Sequence, residues 1–168
     1  MIEWQYYPAY ERPSDALENV IKVFESNYDS IRSDKHTLNS NEVLKRLRDS
    51  LSEQQFRVEV GKSRSQRVEV PVLFGRNGKV AKYFDADAYN EKEKVVLEVE
   101  AGRGVTNYQF LKDLFQACVM KDVEYLIIGV RKNYRGRKDF EVVVSFLDSL
   151  YANQRLKLPL RGVLILGY

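Results

Sequence analysis

Four carboxylates alternate along the two arms of one short stretch, "YFDADAYNEKEKVVLEVEAGRG", which runs from Tyr83 to Gly104. The stretch alternates like a β-hairpin, with "NEKE" as its loop. Residues i and i+2 of a strand share a face. Asp85 and Asp87 therefore lie on one side of the first strand, and Glu98 and Glu100 on one side of the second. A four-residue loop pairs Tyr89 with Lys94 and sets Asp85 opposite Glu98. A slip of two residues sets Asp87 opposite Glu98 instead. Either register brings like charges together, which destabilises a sheet. At 4 Å such a pair costs about 1 kcal/mol in water and about 4 kcal/mol near a protein surface. Two physical escapes exist: one acid keeps its proton with a raised pKa, or the oxygens hold a hard divalent cation. The plain alternative is a solvated outer face, against which the neighbouring apolar strands weigh.

Composition narrows the chemistry. The chain has one histidine, His36, and one cysteine, Cys118. This excludes an internal disulfide, thiolate metal clusters and multi-histidine zinc sites. A bound metal must be held by oxygen, which points to magnesium, manganese or calcium. The formal net charge is +3 and the pI about 8.9, a mild bias toward polyanionic partners. Basic residues concentrate in "RKNYRGRK", Arg131 to Lys138, and in "GKSRSQR", Gly61 to Arg67. Both read as exposed loops.

The elements that must position these residues follow from periodicity. Leu17, Val20, Ile21, Phe24 and Tyr28 fall at helical spacing after Pro13-Ser14-Asp15. A second helix starts at Asn39, with Glu42 at the capping-box position. "FRVEV" and "RVEVPVLFG" alternate as strands, and Pro71 suits an edge or a bulge. On this pattern Glu59 and Glu69 take the exposed sides of their strands. "GRNG", residues 75–78, is a turn. A helix over 107–121 buries Phe110, Leu111, Leu114, Phe115 and Cys118, and shows Gln109, Lys112 and Gln116 on its other side. "EYLIIGV" and "GVLILGY" are buried strands, separated by a helix that carries Phe140, Val143, Val144, Leu147 and Leu150. The order implies an α/β sandwich around a mixed sheet, antiparallel first and then with crossovers. The length of 168 residues suits one domain. Residues 1–37 are expected as a helical accessory segment and 38–168 as the core.

At this point the sequence resembles the PD-(D/E)xK nuclease superfamily, the fold of many restriction endonucleases. The resemblance rests on Asp85 or Asp87, the hairpin, Glu98-Val99-Glu100 at the end of the next strand, and the helix and buried strand that follow. It implies a restriction-endonuclease-like sandwich: a mixed central sheet flanked by helices, with an additional N-terminal helix. It implies Asp85 or Asp87 and Glu98 as ligands of Mg²⁺ or Mn²⁺. The third motif position, usually lysine, is Glu100 here. Lys112 on the following helix is the candidate replacement cation. Glu100 and Lys112 are thus the catalytic candidates; Glu42, where some relatives bring a helix glutamate to the site, is a further candidate beside its capping role, and Gln116 is another.

The activity implied is metal-assisted phosphodiester hydrolysis by a DNA endonuclease. The alternative is a catalytically inactive nucleic-acid- or protein-binding module on the same fold. Arg103, Arg131, Lys132, Arg135, Arg137 and Lys138 are the expected backbone contacts on DNA. Small size makes a homodimer reasonable. No apolar run reaches the length of a bilayer span, and Met1-Ile2-Glu3 does not begin a signal peptide. A soluble, intracellular protein with no membrane partner is expected.

Overall fold

The computed structural model describes residues 1–102, 105–153 and 155–168. In chain order it contains β1 (Glu3–Tyr7), α1 (Asp15–Ser26), the single turn α2 (Tyr28–Ile31) and α3 (Ser40–Glu53). Then come β2 (Arg57–Val58), β3 (Val68–Phe74), β4 (Val80–Ala86), β5 (Ala88–Asn90) and β6 (Val95–Glu100). The chain continues through α4 (Gln109–Val119), β7 (Tyr125–Val130), α5 (Asp139–Ala152) and β8 (Gly162–Gly167). A six-stranded sheet has the order β1-β8-β7-β6-β5-β2, and β3 and β4 form a separate two-stranded ribbon. β6, β7 and β8 run parallel, joined by crossovers through α4 and α5. β1, β5 and β2 are added antiparallel.

The three parallel strands are apolar runs because both of their faces are covered. Val95, Leu97, Val99, Ile127, Leu164 and Leu166 pack against α1 and α3. Val96, Leu126, Ile128, Val163 and Ile165 pack against α4 and α5. α3 begins where the sequence places it. Asn39 accepts the Glu42 backbone N–H at 2.9 Å, and the Glu42 carboxylate accepts the Asn39 N–H at 2.7 Å. The mixed sheet with helices on both sides is the expected architecture.

Several local expectations change. Residues 1–37, expected as an accessory segment, supply β1 to the sheet edge and the α1 stripe of Leu17, Val20, Ile21 and Phe24 to the main core. The strand expected over 80–89 is broken at Asp87. Its first part pairs back onto β3, while Ala88, Tyr89 and Asn90 enter the central sheet. The loop slides by one residue, so that Tyr89 faces Val96 and Asn90 faces Val95. The cause is Asn90, a buried residue. Its side chain donates to the Gln54 carbonyl at 2.8 Å and accepts the Glu93 N–H at 2.9 Å, which makes it the last strand residue rather than the first of the loop. Pro71 does sit beside a bulge.

Candidate active site

β6 alternates, and its last two outward positions are acids. Val96 faces α4, so Glu98 and Glu100 continue on that side. Asp87 arrives from the point where the chain leaves the ribbon for the central sheet. The Val99 N–H donates to Asp87 Oδ2 at 2.7 Å, and the Asp87 carbonyl accepts the Glu59 N–H at 2.8 Å. The two-residue slip is therefore the one realised: extending the β5–β6 register beyond Ala88↔Leu97 sets Asp87, not Asp85, against Glu98.

α4 adds an acid that strand arithmetic cannot reach. Asp113 is 3% exposed, and its Oδ2 has no hydrogen-bond partner among protein atoms. Its carboxyl group lies against that of Glu100, and each shifts the titration of the other. Two carboxyl groups so placed favour a proton on one of them. Burial and then the neighbouring Asp113 carboxyl push Glu100 up to about 8. Burial also raises Asp113, opposed by the neighbouring Glu100 carboxyl and by Lys112. Glu98 is driven well above the ordinary glutamate range by burial, then by the charges of Asp87, Asp113 and Glu100. Asp87 is raised to about 6, chiefly by burial and against the stabilising Val99 N–H, with Glu59 and Asp113 adding to the rise. Lys112, exposed one residue before Asp113, opposes the rise in Glu98 and Glu100.

The site is thus a pocket of carboxylates poorer in positive charge than in negative. Such a pocket holds protons or a cation. The donors are oxygens alone, the set that suits Mg²⁺ or Mn²⁺, and the unpartnered Asp113 Oδ2 is a free acceptor within it. Among the described residues, no group of three or more such side chains is already closed around one point. The carboxyl groups would have to turn to enclose an ion.

The other sequence candidates fall in different places. Asp85 stays on the ribbon opposite Glu69, exposed, with Arg67 Nη1 at 3.4 Å. Glu42 is engaged in the α3 cap. Gln116 lines a cleft between α4 and the ribbon, together with Lys112, Lys82 and Arg67. The loop after β7 is less free than its composition suggests. Arg131 is buried, donates to the Leu38 carbonyl and lies over the Tyr134 ring. Lys132 pairs with Glu3 at 3.3 Å, and Arg137 with Asp139 at 3.1 Å. Arg135 stacks over Tyr134, and Lys138 precedes α5. Arg103 lies outside the described residues. The loop still borders the site. Gly102 has a φ of +88°, and a Cβ there would meet the Tyr134 ring at 2.6 Å.

Two residues of the site were not foreseen. Glu59 was expected on an exposed strand face but is buried, because β2 ends at Val58 and the chain then turns in beside Asp87. Asp113 was overlooked because Phe115 was assigned to the buried stripe of α4. Phe115 is in fact 61% exposed, and the buried stripe is Phe110, Asp113, Leu114 and Ala117. That i, i+3, i+4, i+7 spacing is a helical signal the sequence does contain.

No family model and no curated protein matches the chain. Solved structures do. A crystal structure of the restriction endonuclease BglII complexed with a DNA 16-mer superposes with a TM-score of 0.50 at 12% identity, spanning 99% of this chain and 75% of that one. Free BglII gives a TM-score of 0.51 at 11% identity, spanning 99% and 78%. At this identity the likeness speaks for architecture, and the mixed sheet with its flanking helices is that of the restriction-endonuclease-like fold.

Proposed function

We propose that the chain is a metal-dependent DNA endonuclease. One observation carries this reading: Asp87, Glu98, Glu100 and Asp113 converge at the end of β6, within a restriction-endonuclease-like fold, at a cost that only protons or a cation can offset. Asp87 and Glu98 would hold Mg²⁺ or Mn²⁺. Such an ion, when bound, polarises a phosphoryl oxygen and makes a water acidic enough to attack at neutral pH. Asp87 is fixed for that role by the Val99 N–H. Glu100, once an entering ion displaces its own proton, would take the proton of the attacking water, and Asp113 beside it on α4 would position it. Lys112, on the solvent side of α4, offsets charge that grows on the phosphate. Asp85 is left out of the ligand set. No helix among the described residues is long and apolar enough to cross a membrane.

The test is incubation of supercoiled and linear DNA with the purified protein and Mg²⁺ or Mn²⁺, beside Glu98→Gln. Metal-dependent cleavage that the substitution abolishes is the expected result. No cleavage of any DNA form, or equal cleavage by the variant, overturns the reading. A specific observation favours a second one: the third motif position holds an acid set against another acid instead of a lysine. A catalytically inactive binding module on this fold would bind DNA or protein without cutting. It would show no rise in melting temperature on addition of Mg²⁺ or Ca²⁺.

A further inference from the structure

Positive charge gathers in a projecting feature as well as in the Arg131–Lys138 loop. Residues 61–84 hold Lys62, Arg64, Arg67, Arg76, Lys79 and Lys82 against a single acid, Glu69, a local balance of +5 where the whole chain carries +3. The remainder of the chain is therefore net negative. Its outer part is the β3–β4 ribbon, which itself carries Arg76, Lys79 and Lys82 against Glu69 and Asp85, the two acids lying toward its base. Its base is anchored: Val68, Val70 and Ala86 are buried in the core under α4, and the Lys121 N–H donates to the Pro71 carbonyl at 2.8 Å. Its outer half is not. Every residue from 73 to 79 is exposed, with Leu73 at 57% and Phe74 at 45%. Among the described residues, Arg76, Lys79 and Lys82 take part in no ion pair, whereas Lys62 and Arg67 are paired with Glu59 and Asp85. The tip is held in one shape by the Gly75 N–H donating to the Lys79 carbonyl at 2.7 Å, with Asn77 and Gly78 in the left-handed region.

We propose that the β3–β4 ribbon is an arm that grips duplex DNA, with Arg76, Lys79 and Lys82 on its phosphates. This deepens the nuclease reading and rests on it for the identity of the polyanion. The dimensions fit. Four residues beyond Val70, the last buried residue of β3, at about 3.4 Å each, project about 14 Å, which exceeds the depth of about 8.5 Å of a major groove that admits a two-stranded ribbon. The chemistry fits too. A tip that carries Arg76 and Lys79, with Lys82 just below it over the Phe84 ring and no acid among them, suits a phosphate backbone, and apolar Leu73 and Phe74 beside them suit base edges or sugar. The arm also leads to the site. Lys82 and Arg67 line the same cleft as Lys112 of α4, and the chain passes from the end of β4 directly into Asp87.

The experiment is fluorescence anisotropy of a labelled duplex of about 20 base pairs without divalent metal, across salt from about 50 to 200 mM. It compares the wild type with Arg76→Ala/Lys79→Ala/Lys82→Ala and with a control, Lys22→Ala/Lys35→Ala/Lys157→Ala, that removes the same charge from exposed sites elsewhere. Each neutralised phosphate contributes about 0.9 to the slope of log K against log salt. The ribbon variant should lose about 2 to 3 from that slope and bind at least tenfold more weakly at 0.1 M salt, with an unchanged circular dichroism spectrum. The control should keep the wild-type slope. An unchanged slope in the ribbon variant, an equal loss in the control, or absence of duplex binding by the wild type overturns the proposal. So does binding to single strands as tight as to the duplex. The two readings fail separately. A protein that cuts DNA with a ribbon-independent slope retains the nuclease reading and loses the arm. A protein that shows the ribbon-dependent slope but never cuts keeps the arm and loses the nuclease reading.

Discussion

The substitution Asp87→Asn isolates the electrostatic cost of the site. Asp87 is raised from the ordinary aspartate value of 3.8 to about 6, first by burial. Between those values the native protein holds a proton that the unfolded chain has released. Stability therefore falls as pH rises through the window, and above about pH 6 the contribution is fully lost. The gap corresponds to about 3 kcal/mol at most. For a domain of this size that is a melting difference of about 6–12 °C. Asparagine keeps an oxygen to accept the Val99 N–H but never ionises. In EDTA, Asp87→Asn should melt close to the wild type near pH 4 and several degrees above it at pH 8. Glu100, raised to about 8, should keep the wild-type curve falling beyond pH 6. Mg²⁺ at pH 8 should raise the wild type and leave the variant nearly unmoved. Thermal unfolding followed by far-UV circular dichroism at several pH values reads all of this. A wild type equally stable at pH 5 and pH 8 would refute the crowded-carboxylate account, as would a variant less stable than the wild type throughout.

Three further outcomes follow from single contacts. Asp85→Asn should retain cleavage within about threefold, since Asp85 faces Arg67 and Glu69 on the ribbon, while Asp87→Asn should lose more than about a hundredfold; parallel plasmid assays compare them. Gly102→Ala should destabilise by about 2 kcal/mol, from the positive φ and from the clash with Tyr134, and Tyr134→Ala in the same chain should recover only the clash; urea titrations measure both. Asn90→Ala removes one donor and one acceptor from a buried turn, so urea unfolding should show a loss of about 1–3 kcal/mol.

The layout of the fold was legible because its signals are local and periodic. The capping box at Asn39, the α1 stripe and the apolar runs of β7 and β8 each report their own surroundings. β1 was not legible: five residues at a sheet edge, exposed at Glu3 and Trp4 and buried on both faces at Tyr6 and Tyr7, give no clear period. The choice between Asp85 and Asp87 was illegible for a different reason. Alternation tells which residues share a face of a continuous strand, and it does not tell that the strand changes sheets. The break at Asp87 is set by two long-range partners, Val99 and Glu59, and by the Asn90 side chain that fixes the loop. Once Asn90 is counted as strand, the register that opposes Asp87 to Glu98 is the one already available from the sequence.

Under the proposed nuclease reading, an acid where the motif lysine is expected changes what α4 has to supply. Adjacent residues on a helix point about 100° apart, so one helix delivers two different groups to the site. Asp113 points inward, where it meets Glu100, and Lys112 stays at the solvent rim. A lysine on β6 would have neutralised one acid from within the sheet. Here that position adds a fifth carboxylate to a neighbourhood that already holds Asp87, Glu98, Asp113 and Glu59, and the cation lies outside. The site must therefore keep protons, and under the proposed function a divalent ion that enters would displace them. The Tyr168 hydroxyl donates to the Glu100 carbonyl at 3.1 Å, which holds the backbone while the side chain exchanges its proton. This arrangement binds charge change at Glu100 to occupancy of the site, a coupling that a lysine, positive in both states, would not provide.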